Sequence, residues 1–139
     1  WESAKHKEKK RESRLDGVPV SLPALTRAQR LQEKASYTGF DWEKIEQVWG
    51  KINEEIQELK EAQSNGIKTQ VEEEMGDVIF SIVNLARFLN ISAEAALRKT
   101  NRKFTTRFQA VEDELKNRGK TVEDSNLEEM DTIWNEVKK

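Results

Sequence analysis

The sequence contains no cysteine and only one histidine, and these shortages exclude several kinds of site. Without cysteine, the 139-residue chain forms no disulfide and no zinc site with thiolate ligands. His6 lies alone in a highly charged leader, so a metal site built from several histidines is excluded and histidine-based acid–base chemistry is disfavoured. Any proton transfer is therefore expected to rely on carboxylates.

Long apolar runs are also missing, and only 35% of the residues are hydrophobic. No segment has the length of a membrane span or the apolar centre of a signal peptide, so we expect a cytoplasmic protein that does not bind membranes. The low apolar content predicts helices that complete their burial against a partner subunit, in a helical oligomer. A net charge of −2 argues against stable binding of nucleic acid.

Two consecutive segments show the apolar periodicity of amphipathic helices, and each carries acids within its apolar stripe. Glu55 falls inside the first stripe, with Glu58 at its shoulder. Glu74 and Asp77 occupy the corresponding places in the second. The stripes consist of Ile45, Val48, Ile52, Ile56 and Leu59, and then Val71, Met75, Val78, Ile82, Leu85 and Leu89.

The link between these two helices is predicted to be short, because Asn65 and Gly66 are typical of a helix end and turn. A short link makes the helices antiparallel neighbours, so the two acidic pairs can converge. Converging carboxylates repel one another unless a cation lies between them, and oxygen ligands suit Mg²⁺, or Mn²⁺ in its place. The alternative is that all four are solvated acids, as most glutamates are in a chain with 36% charged residues.

The ends of these two helices carry further signals. Asp41 is expected to cap the first by accepting the amides of residues 43 and 44, and Thr69 with Glu72 forms a capping-box pattern for the second. Gly76 is unusual inside a helix. It indicates either close helix packing or a bare backbone that lets the neighbouring acids approach a metal or phosphate.

Three other helices are predicted around this pair. Pro23 is suited to the first turn of a helix that runs to about Tyr37. A long helix is expected from about Ala93 to Asn117, and a last one from about Leu127 to Val137. Residues 1–20 carry six basic and four acidic side chains, which indicates a charged linker or solvated leader.

The pattern Glu54-Glu55-Ile-Gln-Glu58 followed by Glu74-Met-Gly-Asp77 resembles the EExxE…ExxD signature of MazG-type nucleoside triphosphate pyrophosphohydrolases. The resemblance covers roughly residues 21–139 and is greatest to the catalytic C-terminal domain of two-domain MazG proteins, with residues 1–20 as the linker to an upstream domain. The further matching stretches are Ser21-Leu-Pro-Ala-Leu, Gly39-Phe-Asp-Trp42, Glu73-Glu-Met-Gly-Asp-Val-Ile-Phe80, Val83-Asn-Leu-Ala-Arg87, Lys103-Phe-Thr-Thr-Arg-Phe108 and Trp134-Asn-Glu-Val-Lys138.

The resemblance implies an all-α, four-helix-bundle-like fold completed by homodimerisation. It also implies Mg²⁺-dependent hydrolysis of nucleoside or deoxynucleoside triphosphates to a monophosphate and pyrophosphate. An enzyme of this family is expected to accept a broad range of bases and to act on the nucleotide pool. The metal ligands would be Glu55, Glu58, Glu74 and Asp77, and one of these or Glu54 or Glu73 would accept the proton of the attacking water. Among the implied substrate contacts, Trp134 would stack on the base. The full set of implied contacts is Lys51, Glu54, Gln70, Glu73, Asp77, Lys103, Arg107, Trp134 and Lys138.

Two functions of other classes remain open at this point. In a helical interaction module, the acids would form ion pairs between helices, and Mg²⁺ would leave thermal stability unchanged. In a nucleic-acid-binding domain, the basic middle of the long helix would bind phosphates with an affinity that falls steeply with salt.

Overall fold

The computed structural model describes residues 12–138, and in that range the protein consists of helices and turns without a β-strand. The elements are α1 (Ala24–Ser36), α2 (Ile45–Asn65), α3 (Lys68–Phe88), α4 (Ala93–Asn117), a short 3₁₀ helix (Val122–Asp124) and α5 (Leu127–Val137). The predicted all-α fold is therefore confirmed. The chain divides into two compact units, the first ending at Glu94 and the second beginning at Ala95.

In the first unit, α2 and α3 form an antiparallel pair joined by a two-residue turn. Gly66 ends α2 with φ 73°, a left-handed conformation that glycine adopts without steric cost, and its amide donates to Ala62 O at 3.1 Å. The core of this pair joins Val48 and Ile52 from the start of α2 to Leu85 from the end of α3. This antiparallel pairing brings the middle of α2 beside the first turns of α3, where the acidic residues lie.

The two predicted helix caps are wrong. The amides of Glu43 and Lys44 donate to Gln47 Oε1, at 2.9 and 3.0 Å. A glutamine inside α2 therefore accepts the hydrogen bonds that were predicted for Asp41. For α3, the N-cap residue is Ile67, without a side-chain hydrogen bond, and Thr69 lies within the helix. Both errors arise because a helix that begins a residue or more away from the expected position changes which side chain reaches its free amides.

The apolar stripe predicted for α3 is only partly buried in the chain. Val78 and Leu85 are buried, but Met75, Ile82 and Leu89 are 46%, 48% and 50% exposed. The buried face of α3 instead includes Ser81, Val83 and Ala86. Gly76 does not reflect close packing within the described chain, since a Cβ added there would meet no atom within 4 Å.

The second unit has a core of its own, in which α5 packs against α4. Val111, Leu115 and Ile133 are almost completely buried, and Trp134 packs at the edge of this cluster. Gly119, with φ 74°, reverses the chain after α4, and the amide of Lys120 donates to Leu115 O at 2.9 Å.

Only part of the predicted linker lies among the described residues. Asp16 Oδ2 accepts the amides of Glu12 and Ser13, and Val18 is buried. Residues 1–11, with His6, lie outside the described residues. The division into a linker (1–20) and a catalytic domain (21–139) stays a prediction.

Candidate metal centre

Three of the four predicted ligands come together in the first unit. Glu55 and Glu58 lie one turn apart on α2, and Glu74 faces them from α3. Each of the three offers a carboxylate oxygen that lies within 4.8 Å of the other two. The antiparallel pairing of α2 and α3 therefore produces the convergence that the helix periodicity predicts.

Lys51 pairs with this cluster from one turn before Glu55 on α2. Its Nζ lies 2.9 Å from Glu55 Oε1 and 3.6 Å from Glu54 Oε1. The hydrogen bond from Lys51 lowers the pKa of the Glu55 carboxyl, and the same bond raises the pKa of Lys51. Glu55 is thereby kept ionised although its side chain is buried.

The pKa values of the other two carboxyl groups, Glu58 and Glu74, are shifted in the opposite direction, upward. The negative charge of Glu55 raises the pKa of Glu58, and partial loss of hydration, followed by the charge of Glu58, raises the pKa of Glu74. A lysine that pairs chiefly with Glu55 leaves Glu58 and Glu74 facing like charges. The cluster therefore carries more negative charge than its neighbouring cation neutralises.

Two oxygens of the cluster have no hydrogen-bond partner among residues 12–138. Glu55 Oε2 and Glu74 Oε2 are both shielded from solvent and accept no hydrogen bond. A buried carboxylate oxygen without a partner is costly, and a cation is a partner that three converging carboxylates favour. A donor set made of oxygen alone fits a hard divalent ion such as Mg²⁺ or Mn²⁺.

Asp77 stands outside the group of three. It lies one turn after Glu74 on α3 and lines a cavity of about 700 Å³ together with Glu55 and Lys51. The cavity extends from the carboxylates toward α1 and the turn between α1 and α2, and all its lining residues belong to the first unit. A binding volume thus adjoins the candidate metal centre.

Several residues of the cavity wall escaped the sequence analysis. Arg87 Nη1 and Nη2 donate to the two carboxylate oxygens of Asp41, and Arg87 Nε donates to Asn84 Oδ1 at 3.0 Å. Gln32 on α1 donates from Nε2 to Phe80 O at 2.8 Å. Asp41 and Arg87 are 46 residues apart in the chain, and no periodic pattern links them. The stretches that hold them, residues 39–42 and 83–87, were noted in the sequence only for their resemblance to MazG proteins.

Three further predicted residues lie on exposed faces of the same helices. Glu54 on α2 lies beside Lys51, and Gln70 and Glu73 lie on the first turns of α3. Their roles as substrate contacts, and those of Glu54 and Glu73 in proton transfer, stay predictions.

The other predicted substrate contacts belong to the second unit. Trp134 on α5 lies with its ring centroid 5.4 Å from that of Phe104, and Arg107 Cζ lies 6.0 Å from the Trp134 ring centroid. Lys103 and Lys138 are exposed. Trp134 therefore has a packing role within its own unit. The nucleotide contacts of Lys103, Arg107, Trp134 and Lys138 stay predictions.

These features define a helical protein in which two antiparallel helices present a carboxylate cluster beside a cavity. The chain also matches known sequences. The profile of the MazG nucleotide pyrophosphohydrolase domain matches residues 43–112, a range that includes all four candidate metal ligands. The chain belongs to this family.

Curated relatives align over nearly the whole chain. It is 46% identical over 140 residues to the nucleoside triphosphate pyrophosphohydrolase/pyrophosphatase MazG of Thermotoga maritima, covering 99% of this chain and 54% of that protein. It is 43% identical over 144 residues to the nucleoside triphosphate pyrophosphohydrolase of Escherichia coli K12, covering 100% of this chain and 55% of the relative. The chain thus spans about half the length of these relatives.

A third relative is the uncharacterized protein YabN of Bacillus subtilis. It is 43% identical over 141 residues, which cover 99% of this chain and 29% of YabN. Among the described residues, no single helix has the length and apolar content to cross a membrane, and only the bent pair α3 and α4 passes that test together, on length and composition alone.

Proposed function

We propose that this protein hydrolyses nucleoside and deoxynucleoside triphosphates between the α and β phosphates, yielding a monophosphate and pyrophosphate. The observation that carries the proposal is the cluster of Glu55, Glu58 and Glu74 beside a cavity of about 700 Å³, with two buried oxygens that have no hydrogen-bond partner among residues 12–138. Support comes from family membership and from the names of the Thermotoga and Escherichia relatives, which specify nucleoside triphosphate pyrophosphohydrolases.

The residues that would hold the metal are Glu55, Glu58, Glu74 and Asp77, and the metal would be Mg²⁺ with Mn²⁺ as a substitute. When bound, such an ion polarises phosphoryl oxygens, neutralises developing charge and makes a coordinated water more acidic. Asp77 contributes from its place on the cavity wall one turn after Glu74.

Around this centre, cationic side chains bind and orient the phosphates. Lys51 already lies at the carboxylates and keeps Glu55 ionised, and in the complex its ammonium group also contacts a phosphate oxygen. The resemblance implies further phosphate contacts by Lys103, Arg107 and Lys138 and stacking of the base on Trp134, and these roles in the second unit are part of the proposal. Gln70 and Glu73 complete the substrate contacts at the start of α3.

The attacking water must lose a proton as its oxygen bonds to the α phosphorus and the bond to the bridging oxygen breaks. With no cysteine and with His6 outside the motif, a carboxylate accepts that proton. Glu54 beside Lys51 and Glu73 beside Glu74 are the outer candidates, and the carboxylates of the cluster are the inner ones. Comparing Glu54→Gln with Glu73→Gln in the pH dependence of kcat separates the outer pair.

Broad base acceptance follows from stacking, because every base offers a flat π-face to an indole ring. An enzyme of this kind would act on the nucleotide pool of the cytoplasm, with free nucleotides as its substrates and without stable binding to nucleic acid.

A homodimer is part of the proposal, because α3 leaves apolar side chains uncovered in the single chain. Met75, Ile79 and Ile82 recur at helical spacing and are 46%, 44% and 48% exposed. This stripe is adjacent to Glu74 and Asp77 in sequence, so the partner chain would cover a surface next to the metal centre.

The test is incubation of the protein with a panel of NTPs and dNTPs, with Mg²⁺ or with chelator, and separation of the products by anion-exchange chromatography. We expect metal-dependent release of monophosphate and pyrophosphate, abolished by Glu58→Gln or Asp77→Asn with helical content retained. Glu61→Gln, an exposed acid on the same helix as Glu58, is the matched control and should stay active. Diphosphate and phosphate as products would overturn the cleavage position. Turnover near the wild-type rate in Glu58→Gln would overturn the metal centre.

A further inference from the structure

We propose that Phe104 makes a second aromatic contact with the base of the nucleotide, beside the stacking on Trp134 described above. This inference rests on the proposed function in one respect, that the base binds at Trp134. It gives a role to the phenylalanine that follows Lys103, which the proposed function leaves without one. Every side chain that it uses belongs to the second unit.

Phe104 is a large apolar side chain that the second unit leaves in solvent. It is 57% exposed, whereas Val111, Leu115 and Ile133, which form the buried core of this unit, are at most 1% exposed. Burial of the Phe104 ring therefore contributes less to the stability of the unit than burial of those three side chains does. More than half of its aromatic surface remains available to a ligand.

The ring of Phe104 lies beside that of Trp134. The two ring centroids are 5.4 Å apart, and the ring planes are inclined at 47°. Aromatic rings interact at this distance, and they favour offset and tilted arrangements over a face-to-face sandwich. A flat base that stacks on the indole of Trp134 is then within reach of Phe104 at an oblique angle. Side chains from α5 and α4 would hold the base together.

A cation adjoins the same pair of rings. Arg107 Cζ lies 6.0 Å from the Trp134 ring centroid. Arg107 follows Phe104 by three residues and Lys103 by four, so it is the neighbour of both on the surface of α4. A nucleotide has a flat base and anionic phosphates, and this surface has aromatic rings beside positive charge.

The charge of α4 favours an anionic ligand over the same helix of a second copy as the occupant of this surface. Between Ala95 and Val111 the sequence has five basic residues and no acidic one. The basic residues are Arg98, Lys99, Arg102, Lys103 and Arg107. In a two-fold symmetric contact the same surface of each copy meets, so these positive charges would face one another. The phosphates of a nucleotide instead neutralise them.

The test compares a ligand that has a base with one that has none. AMP and inorganic tripolyphosphate, each with Mg²⁺, are titrated into the protein in a calorimeter. Phe104→Leu keeps an apolar side chain but removes the aromatic face. We expect it to bind AMP about tenfold more weakly than wild type, the order of one lost base–aromatic contact, and to bind tripolyphosphate as wild type does. Phe104→Tyr keeps the ring and should bind AMP as wild type does.

Hydrolysis of ATP provides a second readout. A contact with the base is remote from the reacting phosphorus, so it stabilises the bound substrate and the transition state equally. Phe104→Leu should therefore raise KM for ATP by about tenfold and leave kcat near the wild-type value. Tyr37→Leu is the matched control, because Tyr37 is an aromatic residue of the first unit that is 71% exposed, and it should change neither constant.

Three results would overturn the role of Phe104. Unchanged AMP binding by Phe104→Leu would show that its ring does not contact the base. An equal loss for AMP and tripolyphosphate would show that Phe104 only supports Lys103 and Arg107. Tighter binding of a single-stranded oligodeoxyadenylate than of ATP by the wild type would assign this surface to nucleic acid.

The outcomes also separate this inference from the proposed function. Hydrolysis by the wild type combined with any of those three results overturns the inference and leaves the hydrolase intact. AMP binding that depends on Phe104, without hydrolysis of ATP by the wild type, supports the base contact and overturns the hydrolase. Failure of the wild type to bind AMP overturns the inference.

Discussion

Arg87 and Asp41 form a bidentate ion pair that links the turn before α2 to the last turn of α3. Nη1 and Nη2 of Arg87 donate to the Asp41 carboxylate, and the side chains of Arg87 and Asp41 are 17% and 26% exposed. The guanidinium group of Arg87 also lies over the face of Phe88, with Cζ 4.8 Å from the ring centroid. The pair thereby fixes a wall of the cavity, because the turn it holds carries Phe40 and Trp42.

Removing the charge of Asp41 should destabilise the protein. In Asp41→Asn the partly buried Arg87 loses its charged acceptor, and we expect the free energy of unfolding to fall by about 1–3 kcal/mol. Urea denaturation followed by circular dichroism measures the change. The exposed Asp113 on α4 provides a control, since Asp113→Asn should change the free energy by much less. Equal effects of the two substitutions would show that the ion pair contributes nothing specific.

The ion pair of Arg87 and Asp41 should make the free energy of unfolding depend on pH in the acidic range. The hydrogen bonds from Arg87 hold the pKa of Asp41 below its usual value. A carboxyl group whose folded pKa is depressed stabilises the protein above its unfolded pKa, near 3.9, and this contribution is lost as the pH falls through the lower folded pKa. The difference in unfolding free energy between wild type and Asp41→Asn should therefore be constant from pH 7 to about pH 5 and narrow below about pH 4. A difference that widens on acidification would contradict the assignment.

The helix periodicity of the sequence was sufficient to predict the fold class and the convergence of Glu55, Glu58 and Glu74. Both depend on local spacing and on one short turn at Gly66, which sequence patterns report well. Helix caps were predicted less well, because Gln47 reaches back from inside α2 to amides that Asp41 was expected to bind. The network of Asp41, Asn84 and Arg87 depends on contacts across the fold, which no local pattern specifies.

Glu74→Gln should have opposite effects on stability without and with metal. In the metal-free protein, Glu74 faces the charges of Glu58 and Glu55 without a cation of its own, so the neutral variant should unfold at a higher temperature than wild type in chelator. With Mg²⁺ or Mn²⁺, wild type should gain stability and the variant should gain little, because one ligand has been weakened. Its turnover should fall by about a hundredfold or more.

Thermal unfolding followed by circular dichroism, with chelator and with each metal, checks this reversal. Glu72→Gln, an exposed acid in the first turns of α3, should behave as wild type in all conditions. A metal-induced rise in unfolding temperature that is as large in Glu74→Gln as in wild type would remove Glu74 from the metal centre. A wild type unaffected by metal would favour a helical interaction module, in which the acids serve only as ion-pair partners.

The uncovered stripe of Met75, Ile79 and Ile82 on α3 predicts the oligomeric state. Replacing Ile82, which is 48% exposed in the single chain, by glutamate should place a charge in the proposed dimer interface and shift the protein to a monomer in sedimentation velocity. Leu127→Glu is the matched control, because Leu127 is 79% exposed on α5 and does not belong to the stripe. We expect it to remain a dimer. Turnover should fall with dissociation in Ile82→Glu if the partner chain helps to form the site. A dimeric Ile82→Glu variant would mean that the copies meet through another surface, and the stripe would then need a different explanation.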